Sequence, residues 1–204
     1  MTIPIINKFC ALLSGRLAGI GNEAVKYKEV LMKEQYYPAA VHRQIKEKRE
    51  NRKDRIRKDI KRYGGDVLES EEMKKAFAQP HHKWSTVGEH TIRVALSSVL
   101  ICYVLKKLHI RVSIPAVVIG ALCHDLGIIG REEKYASSKE CLKKHPTDSV
   151  LIARDIVDEL PEKTEEIIER HMWPLGPSRA PNSIEGAVVS VADKYNAVKD
   201  LVKH

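Results

Sequence analysis

The chain has 204 residues, 43% hydrophobic and 30% charged, the balance of a globular protein with one good-sized core. Its formal charge of +8 comes wholly from residues 26–62, where fourteen Lys/Arg face six Asp/Glu, so the remainder need not be basic. Composition also excludes a membrane span: the apolar stretch 94–105 is shorter than the ~20 residues required, and Arg16 interrupts a faintly signal-like N-terminus that lacks a cleavage site.

Cys10, Cys102, Cys123 and Cys141 form no C-x-x-C pair and read as reduced packing residues, with the cytoplasm as the expected location. Helical periodicity dominates, and no stretch alternates like a strand. Residues 3–33 read as one or two helices around a loop at 19–22. Pro38 opens a helix over about 39–63, closed by Gly64-Gly65. Its middle, KEKRENRKDR at 46–55, has no apolar residue and is expected to be exposed on every side. A short helix near 70–78 ends at Gln79-Pro80, and His81-His82 reads as a polar turn rather than a ligand pair.

From there the pattern predicts a compact bundle. Helices are expected over 85–108 and 114–127, with a loop or short helix at 130–140. The third starts at His145-Pro146, with proline in its first turn, and ends near 160–161. The fourth covers 164–173 and is stopped by Pro174; the last covers 183–202, after the loop PLGPSRAPN. The expected organisation is a helical extension at 1–80, basic at 39–62, and an all-α bundle at 81–204. The basic helix offers a weak contact to RNA or another polyanion, though without the aromatics of sequence-specific recognition. The alternative is a solvated helical face.

Several polar residues lie where the pattern asks for apolar ones. His124-Asp125 ends the helix AVVIGALCHDLG, and a carboxylate there is costly unless it is paired or bound to metal. A capping histidine with a hydrogen-bonded aspartate is the alternative. Asp193 lies mid-helix among Val188, Val191, Ala192 and Tyr195, with Lys194 projecting about 100° away around the helix. It needs a cation unless it tilts to solvent. His90 lies one turn before Val94 on an apolar helix, and His145 and His171 sit at a helix start and a helix end. Each alone is equally a structural residue. Together, imidazoles and carboxylates without thiolates suit Fe, Mn, Zn or Co rather than a Cys-rich zinc site, and a bundle can aim them at one point. Trp173, just past His171, is either a stacking surface for a base or a core aromatic.

The motifs GEHTIRVA, GALCHDLG, KKHPTDSVLIARD, IIERHMWPLG and VVSVADKYNA, in the order H…HD…H…H…D, resemble the HD-domain superfamily over about 81–201. The resemblance implies a helical bundle that hydrolyses a phosphate ester or anhydride of a nucleotide. His90, His124, Asp125 and Asp193 would hold one divalent ion. Asp125 would bridge to a second, completed by His145 and His171. Iron, manganese or cobalt are the expected metals, with zinc or magnesium as alternatives. Arg93 is the first candidate for a cation near the phosphoryl oxygens, followed by Arg131 and Lys134. Ile128 stands where several binuclear relatives carry lysine, and no GYP motif is present, which weighs against a cyclic-dinucleotide phosphodiesterase. An HD-type di-iron oxygenase shares the ligand set and is one alternative. A non-enzymatic nucleotide- or RNA-binding module with a metal-stabilised core is another.

Overall fold

A computed structural model describes residues 39–82, 85–175 and 178–202. The helices expected at 3–33, and with them Cys10, Trp84 and part of the loop after Pro174, lie outside the described residues. The described chain is all-α apart from one small hairpin. It comprises α1 (Ala39–Glu69), α2 (Glu71–Ala78), β1 (Pro80–His82), β2 (Ser85–Thr86), α3 (Val87–Lys107) and α4 (Ile114–Cys123). A 3-10 turn (Leu126–Ile128) follows, then α5 (Arg131–Lys134), α6 (Ser138–Ile156), α7 (Glu162–Arg170) and α8 (Ile184–Val202).

Contacts divide the chain between Ile56 and Arg57. In the N-terminal unit, residues 46–48 and 51–55 of α1 are exposed, as a stretch without apolar residues must be. A Lys53–Glu50 ion pair of 2.7 Å lies on that surface. Residues 57–80, which the sequence groups with the extension, belong to the second unit, where Val67, Met73 and Ala76 are buried.

The centre of the second unit is α4, whose residues are almost all apolar and which packs against α3, α6, α7 and α8. Ser113 caps it and Pro115 occupies its first turn. The helical run of α1 is interrupted at the Gly64-Gly65 pair that the sequence marks as its end: Gly64 is non-helical (φ −119°, ψ 16°), and a second helical segment continues to Glu69. A Cβ at Gly64 would lie 2.3 Å from Leu122 Cδ1, so this glycine also permits close approach to α4.

Two further expectations are corrected. β1 and β2 form a short antiparallel hairpin, pairing Pro80 with Thr86 and His82 with Ser85, too brief to show alternation in sequence. And α6 begins at Ser138, seven residues before His145, leaving Pro146 inside the helix. Ser137 accepts from the Glu140 amide at 3.2 Å and thereby supplies the cap that sets this earlier start. α3 is long and apolar enough to cross a membrane by length and composition, but 56% of its most apolar window is buried in the bundle.

Candidate metal centre

The site is built where five helices and the hairpin bring imidazoles together around one carboxylate. Thr86 caps α3 in a reciprocal box with Glu89, fixing the helix start so that His90 falls in its first turn and points into the core. His124 caps the C-terminal end of α4, and Asp125 follows in a non-helical conformation (φ −112°, ψ 8°). His145 comes from α6, His171 caps α7, and Asp193 comes from α8. All six are buried, the four histidines at 0–2% exposure. The HDLG turn reaches α6 only because residue 127 is glycine: a Cβ there would lie 2.3 Å from the His145 carbonyl oxygen. The Gly127 amide donates to Ser149 Oγ at 2.8 Å, and its carbonyl accepts from Tyr135 at 2.9 Å.

Asp125 is the pivot. Its Oδ2 lies 3.3 Å from His124 Nε2 and 3.9 Å from His90 Nε2. Its Oδ1 lies 3.4 Å from both His145 Nε2 and His171 Nε2. Asp193 Oδ1 completes the first group, 2.9 Å from His90 Nε2 and 3.8 Å from His124 Nε2. Among the described residues the ionic contacts of Asp125 are all to histidines. Ligands sharing one ion at ordinary bond lengths of ~2.1 Å sit roughly 3 Å apart when adjacent, and these spacings are of that order.

The outer nitrogens decide which atoms face inward. The Nδ1 atoms of His124, His145 and His171 lie 2.8, 2.8 and 2.7 Å from the carbonyl oxygens of Ala121, Cys141 and Ile168. A carbonyl only accepts, so each Nδ1 carries a proton, and in its neutral form each ring turns a bare Nε2 to the centre. His145 and His171 oppose these nitrogens at 3.1 Å, two lone pairs that repel unless a proton or cation lies between them. The donor set therefore fits a divalent metal.

Burial opposes the charged form of His124, but Asp125 and Asp193 outweigh it and lift its pKa to about 9. For His171 burial prevails over Asp125, taking it down to about 4. Burial pushes the Asp125 carboxyl up, yet His124, His145 and His171 hold it well below the usual range. Asp193 is likewise lowered, by His90 and Lys194 against burial. Cys102 and Cys123, both buried, are pushed up to about 12, as suits thiols used for packing.

Residues 87–198, more than half of the chain, match the family model of the HD domain. The chain belongs to the HD domain family. That family is in general one of metal-dependent phosphohydrolases on an all-α fold, and the buried His/Asp group is of the kind an HD domain uses for metal. A search of the curated proteins and one of the solved structures returned no match.

Three residues of this HD domain stand differently from what the sequence suggests. His81 is not merely part of a polar turn: β1 brings its Nε2 to 3.9 Å from Asp125 Oδ2 and its ring to 4.7 Å from that of His90. Lys194 does not stay away from Asp193. Its flexible stem curls back so that Nζ donates to Asp193 Oδ2 at 2.6 Å and to the His171 carbonyl at 2.8 Å. Arg93 donates at 2.6 Å to Asp200, a residue that no sequence motif singles out. Arg131 and Lys134 lie on α5, half-buried and exposed respectively. Trp173 is half-buried, and Ile128 packs in the core.

Proposed function

We propose that the protein hydrolyses a phosphate ester or anhydride of a small substrate, a nucleotide, using two divalent ions of iron, manganese or cobalt. The observation that carries this reading is the division of labour at Asp125. One carboxylate oxygen faces His90 and His124, with Asp193 beside them, and the other faces His145 and His171. His90, His124, Asp125 and Asp193 would hold the first ion, and Asp125, His145 and His171 the second. When bound, such ions supply Lewis acidity that lowers the pKa of a water and offsets charge on phosphoryl oxygens.

The chain's own groups do the rest. Backbone carbonyls hold three of the imidazoles in the tautomer that donates to metal, so little reorganisation is needed on loading. Lys194, with a fifth of its side chain exposed, lies directly against this donor set through Asp193 and the His171 carbonyl, whereas Arg93 pairs with Asp200. The ammonium of Lys194 supports a role in meeting non-bridging phosphoryl oxygens, a task the sequence assigns first to Arg93. The half-buried ring of Trp173, two residues past His171, supports a base-bearing substrate.

The test is metal analysis of anaerobically purified protein, followed by a nucleotide and phosphoester panel with Mn²⁺, Fe²⁺ or Co²⁺. Release of phosphate or a nucleoside monophosphate is expected, and Asp125→Ala abolishes it. Turnover that persists in a folded Asp125→Ala protein would contradict the site. Oxygen consumption in place of hydrolysis would favour a di-iron oxygenase.

A further inference from the structure

His90 differs from the other inward imidazoles in its place on a helix. His124 and His171 lie at helix C-terminal ends, where carbonyls of the last turn have no ladder partner and can take an Nδ1–H. His145 lies inside α6 and turns its Nδ1 back to the Cys141 carbonyl, one turn earlier on the same helix. In each case the histidine's own helix supplies the acceptor. His90 sits instead in the first turn of α3, where the carbonyls point onward into the helix.

A second helix meets His90. Asp193 and Asp200 are seven residues apart on α8, two turns, and so share one face. Asp193 Oδ1 lies 2.9 Å from His90 Nε2, and Asp200 Oδ2 lies 3.7 Å from His90 Nδ1. The imidazole is thus flanked at both ends by carboxylates of a single helix. Arg93, three residues beyond His90 on α3, donates to that same Asp200 oxygen at 2.6 Å. Asp200 is 9% exposed in its side chain and Arg93 28%, so water competes little for the carboxylate.

We propose that Asp200, held in place by Arg93, is a positioning residue that orients His90 with its outer nitrogen protonated and Nε2 turned to the first metal position. From α8 the carboxylate takes the side of the ring that backbone carbonyls take for the other three histidines, as an ionic contact of 3.7 Å rather than a hydrogen bond. Arg93 acts through this carboxylate and does not meet substrate. The inference rests on His90 being a ligand, as proposed above.

Equilibrium Co²⁺ binding to the full chain tests it, read by the visible absorption of the ion and by competition with a chromophoric chelator. Asp200→Asn is expected to weaken the tighter of the two sites by about 10- to 100-fold and to leave the weaker site, at His145 and His171, unchanged. Arg93→Gln, which leaves the carboxylate present but loose, is expected to weaken the same site by about tenfold. The double variant should bind no more weakly than Asp200→Asn alone, since the two act in series. Far-ultraviolet circular dichroism should match the wild type throughout. Unchanged Co²⁺ affinity in both single variants overturns the proposal, as does equal weakening of both sites. His90→Ala separates this failure from failure of the site itself. If His90→Ala also binds Co²⁺ like the wild type, the ligand assignment is wrong; if it alone weakens binding, only the role of Asp200 and Arg93 falls.

Discussion

At neutral pH the metal-free His124 carries a proton, because neighbouring carboxylates hold its pKa near 9 against the effect of burial. His171 is neutral there, being shifted down to about 4, and Asp125 and Asp193 are already ionised. Loading the first position therefore displaces at least the His124 proton, and apparent metal affinity should rise with pH from 7 towards 9. Calorimetry in two buffers of different ionisation enthalpy checks this; an affinity flat over that range would show that His124 surrenders no proton to metal. The two positions are also unequal in donors. His171→Ala leaves the second with only His145 and Asp125, so metal content should fall from near two towards one while helicity is retained. Occupancy that stays at two would remove His171 from the ligand set. His90, His124, Asp125 and Asp193 are legible in sequence because they interrupt apolar runs, and His145 and His171 only by their expected places at a helix start and a helix end. His81 is not, since it lies in a short polar segment where nothing is interrupted. Lys194 and Asp200 escaped for another reason: their roles depend on where a side chain reaches, and helical angle alone does not fix that.

Among the elements, the HDLG turn and α6 depend on each other most closely. The Gly127 amide is taken by Ser149, one turn after His145, and a Cβ at 127 would collide with the His145 carbonyl. Gly127→Ala must push the turn away from α6. It should cost about 1–3 kcal/mol of stability, as overpacking does, and separate Asp125 from His145. Denaturant unfolding measures the first effect and loss of the more weakly held metal the second; a variant as stable as wild type with full metal content would show that the turn has slack. The bundle's helices were legible from periodicity, and their ends were less so. The start of α6 differs from expectation because Pro146 reads as a first-turn residue, although the Ser137-Ser138-Lys139-Glu140 pattern marks a start eight residues upstream of it.

At the scale of the whole molecule, the site gathers donors from β1, α3, α4, α6, α7 and α8 onto one buried point. Without metal that point is costly to bury. Asp125 is surrounded by imidazoles at 3.3–3.9 Å, beyond the range of good hydrogen bonds, and His145 and His171 oppose bare nitrogens at 3.1 Å. The unfolded chain keeps its imidazoles and carboxylates in water and holds metal only loosely, so an ion that binds the folded state shifts the balance by mass action. At a hundred times its dissociation constant the gain is about 2.7 kcal/mol. For a chain of this length that corresponds to a melting temperature higher by roughly 5–10 °C. The metal-free bundle should nonetheless stay folded, because its core is set by apolar residues of α3, α4, α7 and α8 rather than by the ligands. Chelation is therefore expected to lower the melting temperature while leaving the helical circular dichroism at 25 °C intact, and re-addition of Mn²⁺ or Co²⁺ should restore it. The rise should continue logarithmically with metal concentration after the sites are full, since linkage does not saturate with occupancy. Asp125→Ala, which removes the carboxylate shared by both groups, should show little of this dependence. An equal metal-dependent rise in that variant would mean the stabilising ions bind elsewhere on the molecule.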